Sequence, residues 1–225
     1  MVEAAIGRQG PRQETFGYLC RRCLNCCHDK HIQLNPYEVA RLARNRGVST
    51  TSVRRDFTQD GAGVVLAQKS DGACVFLGPE GCTVHPDRPL VCRLYPLGRH
   101  VAWDGAERFS HLEPHPHSAG ELTGHGTIDQ YLGEQGAEPF IQAADAYMAW
   151  LNTALTEAPE AAEPLRVKSI VAPPEDEVDI LDMDAAIAHN CAEAELEPPT
   201  DIEARRHLHL SILYSLLGRP EGRET

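Results

Sequence analysis

The 225-residue sequence lacks any segment approaching about 18 consecutive apolar residues, which excludes a membrane-spanning helix. Its opening, MVEAAIGRQGPRQETFGY, has no apolar run of the roughly 7–15 residues that a secretory leader carries, so a cytoplasmic location is expected. Basic clusters are scarce as well. Arg21/Arg22 and Arg54/Arg55 are short pairs, too few for a groove that follows a phosphate backbone. No G-x-G-x-x-G, no Walker A and no G-x-S-x-G is present. These absences leave no visible dinucleotide or methyl-donor fingerprint, no P-loop and no hydrolase nucleophile elbow. Nucleic acid and membrane are therefore not expected as partners.

Acidic residues are plentiful, and unevenly placed. The formal net charge is −12. Residues 1–110 carry 15 Lys/Arg against 11 Asp/Glu, whereas residues 111–225 carry 6 against 22. The ordinary meaning is a solvated acidic face. A protein partner for that face stays open. Apolar residues make up 42%, enough for a core.

Residues 1–15 read as a loose tail with Gly7, Gly10 and Pro11. Asn35-Pro36 and Glu38 open a helix that Gly47 closes, and a second begins at Ser49 and runs towards Phe57. Two β-branched runs, 64–67 and 73–77, flank the turn KSDG, and GPEG turns the chain again before Cys82. Residues 86–96 read as compact and irregular, and 99–126, rich in Gly, His and Pro, as mostly loop. From Thr127 the pattern is helical. TIDQYLGEQ is a capped helix, and a longer one places Ile141, Ala144, Met148, Leu151 and Leu155 on one face. Residues 158–179 form a Pro-rich connector. A helix follows Asp182, and a last one has the capping box Thr200/Glu203 and ends at Gly218.

Eight cysteines stand out against these absences. Four fall within YLCRRCLNCCHDK, as Cys20, Cys23, Cys26 and Cys27, and Cys74, Cys82 and Cys92 follow. In a reducing compartment such thiols bind metal or stay reduced, and disulfides are not expected. Spacing by two residues lets a tight loop turn successive sulfurs towards one point, as in zinc knuckles and iron–sulfur ligand runs. All seven are candidate metal ligands. Adjacent Cys26 and Cys27 do not readily serve one ion, so one ligates while the other packs, or they serve two centres. Seven sulfurs exceed the four of a single zinc or cubane cluster. Cys191, in a helical stretch of alanines and acids, reads as a small core residue.

C20-x2-C23-x2-C26-C27, IQLNPYEVARLA and GACVFLGPEGCTVHPDRPLVCRLYPL together resemble the CxxCxxCC family of zinc- or iron-chelating domains, over roughly residues 18–135. Flagellin lysine-N-methylases share this cysteine pattern, and in that branch the resemblance implies an iron–sulfur cluster. It also implies that Cys92 and Arg93 belong with the N-terminal run. Members often carry a further cysteine beyond CRLYP; here the corresponding EPHPHSAGELTGHG has none.

Arg88 and Arg93 flank a candidate ligand, so they are expected to hydrogen-bond to or balance an anionic thiolate centre. His115 and His117, two apart, face one side of an extended chain. With His111 and His125 they are either a second metal site or a polar loop. His28 and His85 are candidate outer ligands.

The expected fold is α+β: a small irregular cysteine-cluster domain at 16–135, with short strands around metal, and a helical extension at 136–225. The expected function is metal binding, an iron–sulfur cluster being favoured over zinc. A cluster-dependent enzyme such as a protein lysine methylase is one alternative. A zinc-stabilised adaptor that binds a partner through its acidic helices is another.

Overall fold

The computed structural model describes residues 9–61, 64–102, 105–157 and 179–218. In chain order the elements are β1 (Gln9–Gly10), β2 (Tyr18–Leu19), α1 (Pro36–Arg46), α2 (Thr50–Phe57), β3 (Leu77–Gly78), β4 (Gly81–Cys82), α3 (Leu90–Leu94), β5 (Leu97–Val101), β6 (Glu107–His111), β7 (Glu121–Leu122), α4 (Ile128–Glu134), α5 (Glu138–Glu157), α6 (Met183–Glu193) and α7 (Ile202–Ser215). Helices with short antiparallel strands make the fold α+β, as expected. Among the described residues no helix is long and apolar enough to cross a membrane. The chain divides into two discontinuous units, 1–30 with 69–141 and 31–68 with 142–225. The sequence-based boundary at 135/136 does not coincide with this division, because residues 31–68 cluster with the C-terminal helices.

In the first unit β1, β6 and β5 form an antiparallel sheet, with Leu97 opposite His111 and Gln9 opposite Ser110. Phe109 from β6 is fully buried and packs with Phe16, Leu94, Leu97, Ile128, Tyr131, Leu132 and Ile141. Each such side chain contributes roughly 1.5–3 kcal/mol by leaving water. The stretch 99–126, read as loop, thus carries β6, β7 and most of β5. Its Gly and Pro content lies largely in the connections, while Arg108, Phe109 and Ser110 supply the ladder.

The supposed tail is anchored from Gln9 onward. Arg12 pairs with Glu107 at 2.5 Å, and Arg99 reaches the same carboxylate at 2.5 Å. Burial works against the Glu107 charge, but the bonds from Arg12 and Arg99 outweigh it and hold this carboxyl below its ordinary range. β2 pairs with β7, Tyr18 opposite Leu122. α4 is the capped helix expected, opened by a capping box in which Thr127 accepts from Gln130 N–H and Gln130 from Thr127 N–H.

In the second unit α1 has the capping box of Asn35 and Glu38, and Gly47 at φ 67 closes it. Ser49 caps α2. Residues 64–67 make isolated bridges rather than a strand, Val65 to Gln33 and Leu66 to Thr58. Thr50 at the start of α2 donates its hydroxyl to Asp182, the N-cap of α6, and its N–H to Asp184 at 2.8 Å. Arg54 pairs with Asp179. The N-cap of α7 is Asp201, not Thr200; its carboxylate accepts from Glu203 N–H and Ala204 N–H. The buried residues of α5 are Phe140, Ile141, Ala143, Tyr147, Trp150 and Ala154, and Met148 is 62% exposed. Of the face read from the sequence Ile141 is buried, but further along the core side runs through Tyr147, Trp150 and Ala154, one position before Met148, Leu151 and Leu155. The expected connector lies, except for Asp179, outside the described residues.

Candidate metal centre

Cys20, Cys23, Cys26, Cys27, Cys74, Cys82 and Cys92 all fall in the first unit, and no disulfide joins any of them. Cys191 is buried on α6, in the second unit.

The N-terminal run follows an unusual path. Arg22, Leu24 and Asp29 take positive φ of 52°, 66° and 52°. Non-glycine residues in this region cost on the order of 1 kcal/mol or more each, and such conformations gather at functional sites. Here they turn the chain repeatedly between Cys20 and Lys30. Beyond Cys26 the run zips to a distant segment. Cys74 N–H donates to the Cys27 carbonyl at 2.8 Å, Asp29 N–H donates to the Gly72 carbonyl at 2.9 Å, and His28 bridges Ala73. The KSDG turn makes this possible. Gly72 sits at φ 81, and a Cβ there would come within 2.3 Å of Asp29 Oδ1. Glycine takes this positive φ without strain and leaves room for the Asp29 carboxylate.

The other two sulfurs arrive by separate routes. The β3–β4 hairpin places Cys82 opposite Leu77. A side chain at Gly81 would stand 3.5 Å from Leu24 Cδ2, so Cys82 borders the cysteine run. Cys92 is exposed on the short helix α3, which replaces the irregular structure expected there.

The thiols act on one another. A hydrogen bond with Cys27 pulls Cys26 well below the ordinary thiol range, and the charges of Lys30 and His28 assist. The same bond pushes Cys27 up, followed by burial and by the charges of Cys26, Cys92 and Cys74. Burial pushes Cys74 up, with a contribution from Cys82. Burial also raises Cys82, with Cys26 adding to it and Arg88 opposing. Five sulfurs, those of Cys26, Cys27, Cys74, Cys82 and Cys92, thus share one electrostatic neighbourhood. As thiolates they repel, and a bound cation removes that repulsion, so the donor set fits a thiophilic metal. Among the described residues no three His, Cys, Asp or Glu side chains stand ready-grouped around an ion position.

Cys20 and Cys23 each accept a hydrogen bond from a backbone N–H. Cys20 Sγ accepts the Arg22 N–H at 3.4 Å. Cys23 Sγ accepts the Ala119 N–H at 3.3 Å, and this bond, with one from the Asn25 N–H, lowers its thiol. Sequence reading missed the groups around these sulfurs. The Tyr18 hydroxyl meets Ser118 Oγ at 3.0 Å, Tyr95 OH accepts the His115 N–H at 2.7 Å, and Lys30 Nζ lies 5.9 Å from the Tyr95 ring. Gly120 admits this packing, since a Cβ there would overlap the Tyr18 hydroxyl. The only sequence signal was the position of Tyr18 and Tyr95, each within three residues of a cysteine.

Arg93, expected to serve the sulfurs, also ties backbone segments together. Its guanidinium donates to the carbonyls of Arg88 at 3.0 Å, Gln135 at 2.6 Å and Pro86 at 2.5 Å, and stacks 3.9 Å from the Phe140 ring. It is a strut of the fold, because a planar donor fork suits three carbonyls converging on one buried point. Arg88 donates to the His85 carbonyl at 2.8 Å and to Gln135 Oε1 at 2.7 Å, while its charge still reaches Cys82. The four loop histidines do not gather. His115 and His117 have ring centroids 5.6 Å apart, whereas His111 packs edge-on against Phe16.

No curated protein and no solved structure matches the chain at a significant level. The family model that does match ends before the His115/His117 loop, and its span is shorter than the resemblance read from the motifs. Residues 19–113, which contain all seven clustered cysteines, match the CxxCxxCC family, described as "Putative zinc- or iron-chelating domain".

Proposed function

We propose that the first unit binds a thiolate-held metal centre, an iron–sulfur cluster rather than zinc, in a reducing compartment such as the cytoplasm. The observation that carries this is the Cys74 N–H to Cys27 carbonyl bond, which brings two cysteines 47 positions apart in sequence side by side on paired backbones. The ligands come from Cys20, Cys23, Cys26, Cys27, Cys74, Cys82 and Cys92. When bound, an iron–sulfur cluster supplies one-electron redox chemistry or a rigid cross-link. The chain's own groups prepare the sulfurs. The N–H groups of Arg22 and Ala119 donate to Cys20 and Cys23, and hydrogen bonds to sulfur are one means by which proteins set cluster potentials. Lys30 offsets thiolate charge at Cys26.

Anaerobic purification of the full chain, followed by iron, zinc and acid-labile sulfide analysis, tests the reading. Brown protein with iron and sulfide in comparable amounts is expected. Colourless protein with stoichiometric zinc would replace the cluster by zinc. Folded protein that takes up neither metal would end the proposal.

A further inference from the structure

Residues 117–119 are tied to the cysteine run by two hydrogen bonds. Ala119 N–H donates to Cys23 Sγ at 3.3 Å, and Asn25 Nδ2 donates to the His117 carbonyl at 2.6 Å. His117 N–H donates to His115 Nδ1 at 3.2 Å. Both backbone polar groups of His117 are therefore tied down, one of them to the residue between Cys23 and Cys26. The two histidines then differ chemically. His115 uses the Nδ1 lone pair on the His117 N–H, so its neutral ring carries its proton on Nε2 and has no lone pair left for a metal. The His117 imidazole is exposed, and its backbone carbonyl is held by Asn25, two residues after Cys23.

Cys23 meets this loop directly, its sulfur accepting the Ala119 N–H at 3.3 Å. We propose that His117 is a metal ligand, giving the ion held by Cys23 a nitrogen donor from a loop outside the family match. Imidazole nitrogen and thiolate sulfur together are a common donor set for zinc and occur in some iron–sulfur centres. The side chains are not preassembled, and rotation about χ1 and χ2 of His117 and χ1 of Cys23 is the adjustment the fixed backbones leave. The inference rests on the metal reading above.

X-ray absorption at the zinc edge of the zinc-loaded full chain tests it, because zinc–nitrogen scattering at about 2.0–2.1 Å is separable from zinc–sulfur scattering at about 2.3 Å. The wild type should show a mixed shell. His117→Ala should lose the nitrogen scatterer, while His115→Gln, His28→Gln and His85→Gln should keep it. His117 is exposed, so its replacement leaves the core intact. A sulfur-only shell in the wild type, or nitrogen that persists in His117→Ala, overturns the inference and leaves the metal reading standing. A wild-type chain that binds no zinc and no iron overturns both.

Discussion

The Tyr147 hydroxyl donates to Nδ1 of His209 at 2.8 Å, and the opposite ring nitrogen, Nε2, donates to the Ile180 carbonyl at 2.7 Å. His209 is wholly buried, and this pairing fixes it as the neutral Nε2–H tautomer. Burial pulls its pKa down to about 4, although the Ile180 carbonyl and Asp182 favour the charged ring; Arg205 and Arg54 add to the lowering. An unfolded histidine titrates near 6.5, so between that pH and about 4 the unfolded chain binds the extra proton. Stability from this group is complete above about pH 6.5 and is lost as pH falls towards 4, by on the order of 3 kcal/mol. Denaturant unfolding of the wild type and of His209→Gln at several pH values should show a steeper decline for the wild type in that window. Parallel curves would remove His209 as the cause.

Cys92 should couple metal to stability. Short strands and a five-residue helix bury little, so a metal that cross-links them contributes to holding the first unit. Cys92→Ala should lower metal content and melting temperature together. Full metal loading at an unchanged melting temperature would show that the sulfur on α3 takes no part.

Cys191 should behave oppositely. It is 3% exposed on α6, in the second unit. Cys191→Ser should leave metal content unchanged and cost roughly 1–2 kcal/mol, because a hydroxyl replaces a thiol in an apolar setting. Loss of a metal equivalent in this variant would make Cys191 a ligand.

Arg93→Met keeps a stem of similar shape and strands three carbonyls, those of Pro86, Arg88 and Gln135. A loss of about 2–4 kcal/mol is expected, visible as a lower melting temperature. Metal content and the visible spectrum of the folded variant should not change. A spectral shift without loss of stability would return Arg93 to the role of charge partner for the sulfurs.

The legible parts of the sequence were those governed by local chemistry. Asn35, Ser49, Thr127 and Asp182 announce helix starts because a short side-chain oxygen beside an open N–H is a local event. The cysteine run was equally plain, since no packing requirement crowds four thiols into eight positions. The β5–β6 hairpin was hidden under Gly, His and Pro, whose usual meaning is loop. The role of Arg93 depends on the carbonyl of Gln135, 42 positions away. The loop over Cys23 could not be read either, because its contact is a backbone N–H, which every residue but proline carries. The division into two units has a different cause: residues 31–68 are continuous with the cysteine segment along the chain but cluster with the C-terminal helices in space.

The pairing of β2 with β7 sets an order of events during synthesis. Tyr18 and Leu19 wait for Glu121 and Leu122, about a hundred residues later, and Cys27 waits for Cys74. A chain emerging from the ribosome therefore exposes its first four thiols well before the strand that flanks them exists. All seven clustered sulfurs precede residue 93 in the chain, yet their surroundings close only once residue 122 is made. A metal arriving earlier would meet an open peptide, and one arriving later the folded first unit. Folding partly covers Cys23, Cys26, Cys27, Cys74 and Cys82, while Cys20 and Cys92 stay exposed.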